Sequence, residues 1–203
     1  GTDEIICTDE HWSSSEGPIR EADILMGEMY DSNYESNIKG WDSYNFDESN
    51  FKKVIVTADI NPELTSYKAE PVRQRFEFKP QSITRSGDKK FVIDFGQNFA
   101  GFARLVLKNV GKQKITLRFA EMLNEDGSLY TENIRMARAQ DTYISKGNTE
   151  EVWEPLFTYH GFRYVEISGL ENIDDQTILG ISINSLPEQT AVFTSSDSRI
   201  NKL

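Results

Sequence analysis

Phe91-Val92-Ile93-Asp94-Phe95-Gly96-Gln97-Asn98-Phe99-Ala100-Gly101 is the stretch on which the fold of this chain turns. Its first five residues are aromatic or β-branched around a single acid, the make-up of a strand with a buried face. A second apolar run, 102–108, follows directly. Two glycines flanking Gln97-Asn98 between these runs predict a bulge or sharp bend, because glycine reaches backbone angles that other residues adopt only at a cost. The two amides are expected to satisfy backbone groups there rather than to contact a ligand, since buried amides mostly belong to hydrogen-bond networks.

The same patterning recurs outward from this stretch. Val72, Gln74, Phe76 and Phe78 alternate upstream, and runs 114–119, 141–145, 162–167 and 178–183 follow downstream. Turn chemistry separates them at Ser86-Gly87-Asp88, Val110-Gly111-Lys112, Asn124-Glu125-Asp126-Gly127 and Lys146-Gly147-Asn148. Only 129–140 could form a helix, and its apolar spacing suits one poorly. Short strands without long helical patterns predict an all-β fold, a β-sandwich of jelly-roll type. At the far end Ser196 or Asp197 is a fair N-cap, and Ile200 and Leu203 have helical spacing, so a helix is expected to begin there.

The chain has 203 residues, 37% of them hydrophobic, and a net charge of −11. That length suits one large or two small domains. Residues 1–50 hold thirteen acidic and two basic side chains, whereas the other 153 residues balance at twenty of each. The shift puts a boundary near 50–70, with 58–70, including Asn61-Pro62, as the connection. The acidic third reads as a solvated surface, or alternatively as a cation site or a docking face for a basic partner. Acidity argues against nucleic acid as a partner. No stretch approaches the ~18 to 20 apolar residues of a membrane helix, so no membrane partner is expected. Cys7, the single cysteine, cannot form an internal disulfide.

Familiar catalytic signatures fail one by one. Gly96 and Gly101 have the spacing of a phosphate-binding loop, but Phe102-Ala103 stands where Lys and Ser or Thr are needed. The Asn124–Gly127 turn imitates a calcium loop, yet Met122 falls at the first ligand position, where a carboxylate is needed. His11 and His160, the only histidines, have no zinc spacing with Cys7, and no Gly-x-Ser-x-Gly elbow is present. His160 is expected to be a hydrogen-bonded structural residue rather than a general base. Thirty-three carboxylates permit a glycosidase pair without selecting one. No metal site and no cofactor is expected.

Three segments, taken in order, resemble bacterial α-L-rhamnosidases, a family of inverting glycosidases. Thr8-Asp9-Glu10-His11-Trp12, Gly17-Pro18-Ile19, Gly27-Glu28-Met29-Tyr30-Asp31, Gly40-Trp41 and Phe46-Asp47-Glu48-Ser49 are similar to the last part of that family's N-terminal β-sandwich module. Asp94-Phe95-Gly96-Gln97-Asn98, Phe119-Ala120-Glu121, Leu129-Tyr130-Thr131-Glu132-Asn133, Asp141-Thr142-Tyr143, Trp153-Glu154-Pro155 and 157–165 look like its second β-module. Ser196-Asp197 with Asn201-Lys202-Leu203 looks like the entry to its catalytic helical barrel. Departures are mild: Phe51 stands where a Trp often follows the Phe-Asp-Asp-Ser run, and Met29 stands within Gly-Glu-Thr-Tyr-Asp.

The resemblance implies three regions. Residues 1–60 are the end of the first module, with a strand over 2–6; 61–186 are the second β-sandwich module; 187–203 lead toward the barrel. Since the family's acid and base carboxylates belong to the (α/α) barrel, no residue here inherits a catalytic role. The implied function is a non-catalytic β-region that braces its own catalytic barrel and helps position rhamnose-containing glycans. The alternative is an autonomous carbohydrate-binding module for L-rhamnose or a rhamnosylated polysaccharide.

Trp12, Trp41 and Trp153 are candidate sugar platforms, because the C–H face of a pyranose packs on an aromatic ring; core or interface packing is the competing fate of each. Trp41 stands beside Tyr44 and amid Glu28, Asp31, Asp42 and Asp47, and carboxylates bracketing an aromatic suit a hydroxyl-rich ligand. Trp41, Glu28 and Asp31 are therefore the candidate carbohydrate-binding residues. Along 157–164 alternate aromatics are expected to line the core, with Arg163 paired to a carboxylate or to carbonyls.

Overall fold

A computed structural model describes residues 5, 7–57, 62–186 and 191–202. In chain order the strands are β1 (Ser13–Ser14), β2 (Ile19–Asp23), β3 (Gly27–Asp31), β4 (Lys52–Lys53), β5 (Arg73–Phe78), β6 (Ser82–Gly87), β7 (Lys90–Lys108), β8 (Lys114–Ala120), β9 (Met122–Leu123), β10 (Leu129–Tyr130), β11 (Gln140–Ile144), β12 (Glu150–Trp153), β13 (His160–Ser168) and β14 (Ile178–Asn184). The described chain is nearly all β, its only helical pieces being short 3₁₀ turns at Ser32–Asn37, Glu132–Ile134 and Ile200–Lys202.

One curled sheet carries the fold, because β7 bends and serves two layers. Its first leg pairs with β6 on one side and the end of β13 on the other; beyond lie β8, β11, β3 and β2. Its second leg pairs with β14, which carries β5, and on its other side with β12 and the start of β13. Phe91, Ile93 and Phe95 from the first leg and Ala103, Leu105 and Leu107 from the second join one core with Ile115, Leu117, Phe162, Val165, Ile167 and Ile178. Alternation on each strand thus buries one face against the other layer, as in a sandwich.

The bend falls at the glycines. Tyr164 pairs with Asp94 and Phe162 with Phe99, so β7 spends five residues where β13 spends two. Gly96 has φ +83°, and a Cβ on Gly101 would collide with the carbonyl oxygen of Ile181. One glycine supplies the backbone angle and the other a close strand approach. The amides behave differently from expectation. Gln97 and Asn98 are exposed, and Asn98 Nδ2 donates to Glu121 Oε1 at 2.8 Å. The corner is instead held by Asp94, whose Oδ1 accepts the Gly96 N–H at 2.6 Å and whose carboxylate takes Arg163 in two bonds of 2.8 Å.

The helix considered for 129–140 does not form. Leu129 pairs with Leu123, and Arg135 and Ala139 have φ of 55° and 43°, outside the helical region. Near the end of the chain Asp197 Oδ1 accepts the Arg199 N–H at 2.9 Å and a 3₁₀ turn follows; Leu203 lies outside the described residues. The strand expected over 2–6 also lies outside them, apart from Ile5. Of the connection 58–70, residues 62–70 are exposed and without strand or helix. The acidic segment does not stand apart, since β3 pairs in parallel with β11 and so adds the β2–β3 hairpin to the main sheet.

Candidate functional site

Two places gather the polar residues singled out by sequence. The first follows β3. Asp31 caps the 3₁₀ turn Ser32–Asn37, its Oδ1 accepting the Asn33 N–H at 3.0 Å and Asn33 Nδ2 at 2.8 Å. Glu35, on that turn, accepts the Tyr30 hydroxyl at 3.1 Å and pairs with Lys146. Burial, reinforced by Glu35, pushes the Tyr30 hydroxyl up to about 12, so it stays a donor at neutral pH. The chain then turns through Gly40, at φ +84°, to present Trp41.

Trp41 is 65% exposed. Its ring borders two clefts: one of about 660 Å³ shared with Tyr30, Glu35, Lys39, Asp42 and Lys146, and one of about 290 Å³ shared with Ser13, Gly17 and Phe51. Tyr44 is exposed nearby in sequence. An exposed indole with carboxylates, ammonium groups and a phenol around it can stack on a sugar ring and bond its hydroxyls. Trp153 is buried against Tyr143, and Trp12 is about half exposed.

Glu28 is not part of that surface. It is 1% exposed, and its Oε2 accepts the backbone N–H groups of Leu156 and Phe157, both at 2.9 Å. Alternation along β3 explains the split: Glu28 and Tyr30 face inward while Asp31 starts the turn. Asp141 Oδ1 accepts the Glu28 N–H at 2.9 Å and lies 3.0 Å from His160 Nε2. Phe119 stacks on the His160 ring at 4.1 Å. Burial raises the Glu28 carboxyl above the usual range; the two amides oppose this and Asp141 adds to it. Gly27, at φ +104°, lets β3 close on β11, where any Cβ would meet the Gln140 carbonyl.

This buried clamp of Glu28, Asp141 and His160 fixes a surface above it. Thr158 Oγ1 donates to the Asp23 carbonyl at 3.0 Å, and Asp23 Oδ1 accepts the N–H groups of Leu25 and Met26 at 2.7 and 2.8 Å. Two loops, 23–26 and 156–159, are thereby held together, and they carry Ile24, Leu25, Leu156, Phe157 and Tyr159, all exposed. Sequence reading singled out Glu28 as a ligand residue and did not anticipate the clamp. The available signal was Asp141 near the start of β11, in the run Asp141-Thr142-Tyr143 that resembles the family's second module.

Among the described residues no three His, Cys, Asp or Glu side chains gather as metal ligands, and no helix is long and apolar enough to cross a membrane.

Comparison with known proteins gives these parts a common source. Residues 1–75 match the α-L-rhamnosidase N-terminal domain and 84–184 the bacterial α-L-rhamnosidase concanavalin-like domain. An α-L-rhamnosidase of Streptomyces avermitilis is 38% identical over the whole chain, and one of Formosa agariphila is 32% identical over the whole chain. The chain spans only 20% and 22% of these relatives. Among solved structures, α-L-rhamnosidase from Dictyoglumus thermophilum superposes with a TM-score of 0.87 at 38% identity, over 97% of this chain and 22% of that one. The Streptomyces avermitilis enzyme complexed with L-rhamnose gives 0.85 at 36% identity, over 100% of this chain and 20% of that one. With both domain models matched in order and the fold shared, this chain belongs to the bacterial α-L-rhamnosidase family and carries its N-terminal and concanavalin-like β-regions.

Proposed function

We propose that this chain is a non-catalytic β-region of an α-L-rhamnosidase, whose role is to brace the catalytic barrel of its parent protein and help position rhamnose-containing glycans. The observation that carries this reading is the apolar surface of loops 23–26 and 156–159. Ile24, Leu25, Leu156 and Phe157 are 55%, 58%, 66% and 65% exposed, although the loops bearing them are pinned by the Glu28 clamp. Contiguous apolar surface of this kind marks a protein interface rather than a wet face. The relatives, about five times longer than this chain, have ample further chain to cover it. In the buried clamp Glu28 Oε2 and Asp141 Oδ1 serve backbone groups and His160, while Glu28 Oε1 and Asp141 Oδ2 are buried without a hydrogen-bond partner among the described residues.

The experiment is an aryl α-L-rhamnoside assay on the chain and on its parent protein, with Leu156→Ser/Phe157→Ser as the variant. The chain should show no turnover, and the variant should lower the thermal midpoint of the parent. Turnover by the chain alone overturns the reading.

Trp41 supports a second reading, an autonomous carbohydrate-binding module. Its exposed ring between two clefts, with Asp42 and Lys39 alongside, would stack on L-rhamnose. Asp31 contributes only by capping the turn that leads to it. Saturable quenching of tryptophan fluorescence by L-rhamnose, lost in Trp41→Ala, is the outcome this reading requires.

A further inference from the structure

We infer that the outer face of the sheet, away from Trp41, carries a second site that binds a neutral saccharide, an assignment independent of the bracing role. A cleft of about 470 Å³ lies between edge strand β6 and the loop 123–128 that folds over the sheet. That size falls within the ~300 to 1,000 Å³ of small-molecule sites. Strand register builds its floor in two rows. Ser82, Asp94 and Tyr164 lie side by side on β6, β7 and β13, and Thr84, Val92 and Glu166 form the next row. Val92 is buried, and Tyr164 packs half-buried beside it.

The floor contains polar groups with bonding capacity to spare. The Glu166 side chain is only 10% exposed, with Lys90 Nζ and Arg118 Nη1 at 3.3 and 3.7 Å from Oε1, and its carboxylate accepts no hydrogen bond from a described residue. The Tyr164 hydroxyl has no partner among the described residues either. Asp94, by contrast, is engaged by Arg163 and the Gly96 N–H, and the Arg163 guanidinium stands 5.0 Å over the Tyr164 ring. Glu166 is ion-paired through Oε1 yet accepts no hydrogen bond from a described residue, so it keeps acceptor capacity on the lining of the cleft.

Charge decides the ligand class. Glu166 and Asp126 on the lining disfavour an anion, and Lys90 and Arg85 disfavour a cation. A neutral pyranose meets both signs at once: adjacent hydroxyls donate to Glu166 and accept from Lys90, while its C–H face packs against Tyr164.

The test is calorimetric titration of the 203-residue chain with L-rhamnose, D-galactose and cellotriose. Saturable binding of at least one is expected, weakened about tenfold or more in Tyr164→Ala and severalfold in Glu166→Gln, and kept in Trp41→Ala. Thr84→Trp, which fills the cleft from an exposed edge position opposite Val92, should abolish binding even if Tyr164→Ala loosens the fold. No saturable binding of any of the three, or binding removed by Trp41→Ala and untouched by the cleft variants, overturns the site.

Discussion

Glu28 Oε2 accepts the backbone N–H of Phe157 at 2.9 Å, tying β3 to a loop 129 residues further along the chain. The same oxygen takes the Leu156 N–H at 2.9 Å, so one buried carboxylate positions two exposed apolar side chains. Truncation would leave two amides without an acceptor and a hole where the carboxylate stood. Glu28→Ala should therefore cost about 2 to 4 kcal/mol, and Glu28→Gln, which keeps an acceptor, about 1. Urea unfolding checks this; a Glu28→Ala change near zero would mean that the clamp carries no stability.

Two of the buried glutamates, Glu28 and Glu151, should shape the pH profile in opposite ways. Burial raises the Glu28 carboxyl in the folded chain, so the folded state holds that proton more tightly than the unfolded one. Its contribution is full below the unfolded value of ~4.3 and is lost as pH rises through the folded value. Burial also pushes Glu151 upward, but the Tyr143 hydroxyl and the N–H groups of Asn148, Lys146 and Gly147 outweigh it and hold the carboxyl low. The Glu151 contribution is present above ~4.3 and is lost as pH falls through its folded value. Glu151→Gln should flatten the acid limb of urea midpoint against pH, and Glu28→Gln should remove a decline just above that value. The same limbs in both variants would contradict the assignment.

Close strand approach at Gly101 predicts a sharp contrast between glycines. Gly101→Ala forces a Cβ onto the Ile181 carbonyl between β7 and β14 and should cost roughly 3 kcal/mol or more. Gly111→Ala, where a Cβ meets nothing within 4 Å, should stay within about 0.5 kcal/mol of the parent sequence. Thermal melts of the two variants decide it, and equal melting points would contradict the bend geometry.

Phe157 is exposed, so replacing it should hardly touch the folding of the chain itself. Phe157→Ser is expected to shift its stability by no more than about 0.5 kcal/mol, while reducing any binding of a hydrophobic dye. A large loss of stability would place Phe157 in the core instead of on a docking surface.

What sequence reading recovered, and what it did not, follows from the range over which each feature is encoded. The strand pattern and the bend at Gly96 are written in adjacent residues, because side-chain alternation and positive φ are local properties. The pairing of Met29 with Thr142 joins segments more than a hundred residues apart and leaves no local mark. Glu28 misled for the same reason: an acid in an acidic segment looks solvent-facing until β11 and the 156–159 loop close over it. Trp41 was legible as an aromatic among acids, yet only the fold shows that its ring is exposed and that Asp31 is spent on capping a turn. Gln97-Asn98 read as buried amides because they sit between buried runs, but the bend turns them outward.

The bracing role is tested most directly by measuring aryl α-L-rhamnoside turnover and thermal midpoint in the parent protein with and without Leu156→Ser/Phe157→Ser, beside the chain alone. A silent chain, together with a parent whose midpoint falls while the folding of the isolated chain is unchanged, is the predicted result. Turnover by the chain, or a parent indifferent to both substitutions, would contradict it.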